Sequence, residues 1–197
     1  MKRMPRAILV AILVVVLSVP AMASTVLVAP TADVQGQGSM EMDFVHHRGV
    51  NTVRAQFGIF PGISLGLRQS LNGSLYATLK GAIFEESNER PGFAIGGELS
   101  LEQQHLYAVV SKQLGTPSLR GHVALGSGRY SRAMAGITLM LNPVKTSNVP
   151  TTSVFMEYDG QGLNGGMIAQ FSPELKANVG LAIGHGLSFG LNYKVTF

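Results

Sequence analysis

The stretch LSFGLNYKVTF (187–197) alternates without a break: Leu187, Phe189, Leu191, Tyr193, Val195 and Phe197 fall on one parity, Ser188, Gly190, Asn192, Lys194 and Thr196 on the other. Successive side chains of a strand point to opposite faces, so a period of two places the apolar set on one face and the polar set on the other. The 3.6-residue period of a helix would scatter both sets around its circumference. This segment is therefore a strand with one apolar and one polar face.

The same alternation recurs, going backwards, over 175–183, 167–171, 154–158, 135–141, 119–125, 106–110, 93–101, 75–83, 63–67, 53–59 and 40–44, which makes twelve candidate strands. Between them stands turn chemistry: Pro61-Gly62, Asn72-Gly73, Asn88 to Gly92, Gly115-Thr116-Pro117, Gly126-Ser127-Gly128, Asn142-Pro143, Asp159-Gly160, Ser172-Pro173 and His185-Gly186. Such short connections predict antiparallel hairpins in a meander. The longest break, Asn142 to Thr152, is expected as an ordered loop or lid, and the connections are too short to supply a large plug.

Whether the apolar face meets a core or lipid depends on its opposite. The polar face of a water-soluble sandwich is rich in Lys and Glu; here it is mostly Gly, Ser, Thr, Asn and Gln, with a sparse and balanced set of charges. Small residues and paired charges suit the interior of a closed barrel whose apolar face is turned to lipid. Segments near the ~9–11 residues that cross a bilayer as tilted strands, and an even number of them, agree with this. The expected fold is all-β, a closed antiparallel transmembrane β-barrel of about twelve strands, with ten as the alternative.

Composition points the same way. The chain has 197 residues, 46 % of them hydrophobic and only 13 % charged, with 24 Gly and no Cys or Trp. That excludes a disordered or disulfide-stapled chain. The formal charge of +4 is concentrated at Lys2, Arg3 and Arg6, and without them basic and acidic residues nearly balance. No clustered basic face remains for a nucleic acid. Those three residues instead open a secretory signal: an apolar run from Ala7 to Val19, then Pro20 and the small-x-small site Ala21-Met22-Ala23. Residues 1–23 are expected to be removed by cleavage after Ala23; the alternative, an uncleaved anchor, has a run shorter than the ~20 apolar residues of a spanning helix. With no Cys after the run, a lipid-anchored lipoprotein is excluded. Residues 24–38, with Pro30 and a Gly/Gln-rich end, are expected as a periplasmic lead-in, and 39–197 as the barrel. The candidates for interfacial aromatic girdles are few: Phe44, Phe57, Phe60, Phe84, Phe93, Tyr107, Tyr158, Phe171, Tyr193 and Phe197. Lys112, on the apolar parity of its strand, is expected to snorkel at one rim.

Several segments resemble the YjbH-like outer-membrane β-barrel domain associated with bacterial exopolysaccharide systems. They are FGIFPGISLGLRQ (57–69), the following strand with Lys80, Pro91-Gly92-Phe93-Ala94-Ile95-Gly96 through Tyr107-Ala108-Val109-Val110-Ser111-Lys112, VFMEYDGQGLNGG (154–166) and the closing LSFGLNYKVTF. Glu157-Tyr158-Asp159-Gly160, with Asn164 and Gly166 after it, is the most specific part, and the whole spans roughly 50–197. The resemblance implies a bacterial outer-membrane location and a part in exopolysaccharide production or export. A terminal aromatic on an amphipathic last strand also looks like the mark by which barrel-assembly machinery recognises such proteins, which makes Phe197 the candidate assembly signal.

The functional candidates are the charged and polar residues expected in the lumen: Glu41, Asp43, Arg54, Arg68, Lys80, Glu98, Arg120, Glu157, Asp159, Asn164, Lys176 and Lys194. Glu157 and Asp159 share a face, as acid/base or cation-binding carboxylates do; the stronger expectation is that they pair with Arg54, Arg68, Arg120 or Lys176 and hold the barrel's shape. His46 and His47 are adjacent, so in a strand they face opposite ways and cannot chelate one metal, and His105, His122 and His185 lack ligand spacing. A hydrolase needs a Ser–His pair with an orienting third group, and a lipid-acting one would present it outward, whereas His122 is expected to face inward. The chain is thus expected to be no enzyme and to use no metal or cofactor, its partners being outer-membrane lipid, assembly machinery and a polysaccharide or small polar solute. Three expectations stand side by side: an exopolysaccharide-associated or porin-like barrel with a narrow pore, a structural or interaction barrel with a sealed lumen, and a soluble exported β-sandwich.

Overall fold

The computed structural model describes residues 27–71, 73–142 and 149–197. The signal segment 1–23 with its cleavage after Ala23, Asn72 of one turn, and most of the break from Asn142 to Thr152 lie outside the described residues. Twelve strands follow one another: β1 (Ser39–His47), β2 (Val50–Phe60), β3 (Ile63–Ser70), β4 (Leu75–Phe84), β5 (Gly92–Leu99), β6 (Gln104–Gln113), β7 (Leu119–Gly126), β8 (Met134–Met140), β9 (Thr151–Tyr158), β10 (Leu163–Gln170), β11 (Leu175–Ala182) and β12 (Gly186–Thr196). Each pairs antiparallel with its neighbours in sequence, and β1 pairs with β12 from Ser39↔Thr196 to His46↔Phe189, so the sheet closes on itself. The result is the expected twelve-stranded meander barrel and not a two-sheet sandwich. β5 stops at Leu99, short of the expected Leu101, because Ser100 turns back to Gln103.

Parity assigns the faces as the alternation requires. Outward positions are apolar and exposed in every quarter of the wall, among them Leu65, Leu79, Leu125, Met156, Val179 and Leu191. Inward positions hold the buried polar residues, including Glu41, Asp43, Lys80, Ser111, His122, Asn164 and Ser188. Burial is therefore inverted relative to a water-soluble protein, in which apolar residues fill the middle. We call the rim where β1 starts and β12 ends the terminal rim, and the other the far rim. Phe57, Phe60, Phe84 and Phe171 are exposed near the terminal rim. Tyr107 is not a girdle residue: it turns inward and packs against Tyr130, ring centres 4.6 Å apart. Lys112 does sit at a rim, where its ammonium donates to the carbonyls of Ser87 and Asn88 at 2.6 and 2.9 Å and anchors the β4–β5 loop.

The middle is not empty. Residues 27–38, expected as a periplasmic lead-in, run inside the barrel as an extended strap. Leu27 lies beside Glu157 at the far-rim end of β9 and Ala32 beside Ser111 toward the terminal rim. Gly38 lies on Gly58 and Phe197 at the terminal rim itself. The strap fits because its side chains are small (Ala29, Pro30, Thr31, Ala32) and because the wall beneath is small too: Ala94, Val109, Ser111 and Ala124 are all buried against it or near it. The closest approach is at Gly58, where a Cβ would stand 1.9 Å from the Gly36 carbonyl oxygen. Only glycine admits the strap there.

The lumen as candidate functional site

All twelve lumen candidates lie on inward parity or at its rim, and the strap divides them into three groups. At the terminal rim, Arg120 is held between two carboxylates. It donates to both oxygens of Asp33 on the strap at 2.5 and 2.8 Å, and to Glu86 of the β4–β5 loop at 2.8 and 3.0 Å. Lys80 donates to the Asp33 main-chain carbonyl. Lys194, cross-strand from Glu41, borders the open mouth on this side.

On the wall formed by β1, β12 and β11, the Asn192 amide donates to both Glu41 and Asp43, to the latter at 2.6 Å. Arg54 stands 3.8 Å from Asp43 and donates to the Leu27 carbonyl at 3.3 Å. Lys176 lies cross-strand from Asn192 and facing these acids. On the opposite side, Arg68 donates to Glu98 at 3.1 Å and lies over the Tyr76 ring. Glu98 also accepts from the Tyr130 hydroxyl at 2.8 Å, with Arg129 at 3.7 Å. Arg129 and Tyr130 belong to a short 3-10 turn, Gly128–Tyr130, that folds into the barrel and donates from Arg129 to the Val28 carbonyl at 3.3 Å.

At the far rim the two carboxylates expected to meet arginines of the wall do otherwise. Among the described residues no ion pair joins Glu157 to Arg54, Arg68 or Arg120; it accepts the backbone N–H groups of Leu27 and Val28 at 3.2 and 3.1 Å. Asp159 pairs instead with Arg48 at 2.9 Å and His47 at 2.8 Å, and accepts the Gln161 and Gly162 amides of its own turn at 2.8 and 2.9 Å. Burial opposes ionisation of Asp159, but the bonds from His47 and the two amides outweigh it and hold the carboxyl well below the usual carboxylate range. Arg48 reaches it from a left-handed backbone, φ 51°, followed by Gly49 at 77°, in the two-residue β1–β2 hairpin. Asn164 is fully buried, cross-strand from Glu157.

His47 also joins Ser188 through Nδ1 at 2.9 Å, which gives a Ser–His–Asp series that the strand parity did not reveal. Ser188 is 0 % exposed and Asp159 is committed to Arg48 and two amides, so the series ties β1, the β9–β10 turn and β12 together with no approach for a substrate to the hydroxyl. His46 points the other way, stacked on the outward Phe189 ring.

Strap residues line two cavities among the described residues. One, of about 1130 Å³, opens at the terminal rim; its floor is strap residues 32–37, and Glu86, Gln113, Arg120 and Lys194 stand around it. The other, of about 20 Å³, lies deeper against Val28 and Pro30, bordered by Arg54, Lys80, Glu98 and Tyr130; that is about the room of one water. No family model and no curated protein matches the chain.

Asp33, Glu86, Arg48, His47, Arg129 and Tyr130 were missed as site residues. A signal for the strap was present in the inward parity itself: Val45, Phe155 and Ile168 are apolar residues on lumen positions, and it is they that pack around Leu27 and Val28.

Proposed function

We propose that the chain is a bacterial outer-membrane β-barrel, exported by its signal segment, without enzymatic activity, and resting with a lumen closed by its own strap. The observation that carries this is the inverted burial: an apolar outer belt on a closed ring of strands whose charges, Lys112 at a rim apart, are turned inward. Water would leave that belt as unfavourably exposed apolar surface, whereas hydrocarbon is its matching solvent. The filled lumen supports the sealed-barrel alternative over a standing narrow pore. An association with exopolysaccharide production rests on the YjbH-like resemblance, and Phe197, fully outside the lumen and 85 % exposed, is where assembly machinery would read the last strand.

The test is cell fractionation with gel mobility before and after boiling. The folded chain is expected in the outer-membrane fraction with a heat-modifiable shift, and the wild-type protein is expected to enter planar bilayers without conductance steps. Recovery as a soluble periplasmic protein without a shift refutes the membrane assignment. Loss of secreted polysaccharide in a deletion strain, restored by the wild-type gene, is the expected outcome for the exopolysaccharide role; unchanged polysaccharide refutes that part alone.

A further inference from the structure

We infer that the strap is a removable plug, and that the barrel conducts small anions through the space it vacates, with Lys80 and Arg120 setting the preference for anions. This rests on the membrane assignment above and adds an activity to it.

Four observations lead there. The wall is complete without the strap: every strand, β1 and β12 included, has two strand neighbours, so departure of 27–38 breaks no rung between strands. The strap is held largely by polar contacts that water can replace, from Glu157, Arg54, Ser111, Lys80 and Arg120. Its side chains between Ala29 and Ala32 are small, and the apolar packing that release must break is that of these two alanines and Val34 on Ala94, Val109 and Ala124, and of Leu27 and Val28 on Val45 and Phe155. Strap residues 32–37 line the mouth cavity and Val28 and Pro30 line the deeper one, so the strap borders both spaces. A twelve-stranded ring lies between the eight strands that side chains fill and the sixteen that leave an aqueous channel, so the strap, beside the inward turn Gly128–Tyr130, occupies room that the side chains of the wall need not fill.

The charge of the opened passage follows from what leaves. Asp33 is the strap's one acid, and it takes the Arg120 guanidinium through its carboxylate and the Lys80 ammonium through its carbonyl. With the strap gone, both cations face the passage, Arg120 keeping Glu86 as its acidic partner. Fixed positive charge at this part of the passage favours anions over cations, while the acids Glu41, Asp43 and Glu98 stay on other parts of the wall.

The chain has no cysteine, so an introduced pair can staple the strap without competing thiols. The Ala32 Cβ lies 3.4 Å from where a Cβ on Gly92 would stand, close to the ~3.8 Å of a disulfide. The full chain carrying Asp33→Ala and Glu157→Gln, with Ala32→Cys and Gly92→Cys, is refolded, its insertion verified by heat-modifiable mobility, and its currents are recorded in a planar bilayer in potassium chloride. Discrete steps are expected in the reduced protein, at least tenfold rarer after oxidation and restored by dithiothreitol. In a salt gradient the reversal potential is expected on the chloride side, and Lys80→Gln is expected to move it toward zero. Absence of steps from inserted, reduced protein, or identical steps in both redox states, overturns the plug; a potassium-side reversal overturns the anion preference.

A second measurement leaves the anchors in place. Ala32→Cys alone, in the otherwise intact chain in lipid vesicles, is expected to react slowly with a water-soluble maleimide, and at least tenfold faster when Glu157→Gln is added. A thiol that reacts only on unfolding of the barrel overturns strap release. Failure of the membrane assignment would appear earlier and separately, as no insertion and no shift on boiling.

Discussion

Gly58 offers a test of the strap that needs no current. A methyl group there would sit 1.9 Å from the Gly36 carbonyl oxygen, 2.5 Å from its carbon and 2.6 Å from the Gln35 oxygen, all of them backbone. To restore ordinary contact near ~3.5 Å the strap must retreat by roughly 1.5 Å, against the Gly38 N–H bond to the Gly58 carbonyl at 3.0 Å. Overpacking of this kind costs about 1–3 kcal/mol. Gly81, in β4, is the matched control, because a Cβ there meets nothing within 4 Å. Gly81→Ala is expected to be neutral or to stabilise by about 0.4–1 kcal/mol through the unfolded chain. The assay is urea unfolding in lipid, read by heat-modifiable mobility, together with cleavage of the strap by a broad-specificity protease. Gly58→Ala is expected to lower the midpoint by an amount corresponding to about 1–3 kcal/mol and to speed cleavage within 27–38 while the barrel stays folded. Equal midpoints and equal cleavage in the two variants would refute the placement of the strap against β2.

Three more outcomes are expected. Leu79→Arg, at an outward position that is 52 % exposed, should destabilise the barrel in lipid by about 2–4 kcal/mol; a change within error would count against a lipid-facing belt. Asp159 has a depressed folded pKa, so its contribution to stability is present above the ~3.9 of an unfolded aspartate and is lost as pH falls through the folded value. The urea midpoint of the wild type should therefore drop below about pH 4, and Asp159→Asn should start lower at neutral pH and lose less on acidification; parallel curves would refute this. Removal of the exposed Phe197 side chain by Phe197→Ala leaves its N–H bond to the Gly38 carbonyl at 2.8 Å intact, so refolding in detergent should be unchanged while the amount assembled in cells falls several-fold; equal amounts in cells would remove Phe197 as an assembly signal.

The strands were legible because a closed sheet with one apolar face writes its period directly into the chain, and LSFGLNYKVTF shows it without interruption. The lumen set was legible for the same reason: parity alone turns Glu41, Lys80 and Glu157 inward. Their partners were not. Which inward charges meet depends on register and on what else occupies the middle, and Glu157 is the clearest case, since its partners are main-chain amides of the strap with no residue type to announce them. The pairing of Asp159 with Arg48 depends on a hairpin residue with φ 51°, which nothing in the type of residue suggests. The strap was hidden because Pro30 and the Gly/Gln-rich end read as a linker, although Phe155 and Val45 on lumen positions already required an apolar occupant.

The seam between β1 and β12 has a consequence for the order of events. The first strand cannot find its partner until the last has been made, so every partly formed barrel carries two open sheet edges, the surfaces on which chains pair with the wrong neighbour. The strap immediately precedes β1 in the chain. It is laced into the curling sheet before the seam zips shut, or else it must find its way in afterwards through the terminal rim. In the first case it is a mandrel around which the ring closes, and a chain whose strap binds poorly would be caught with its edges apart.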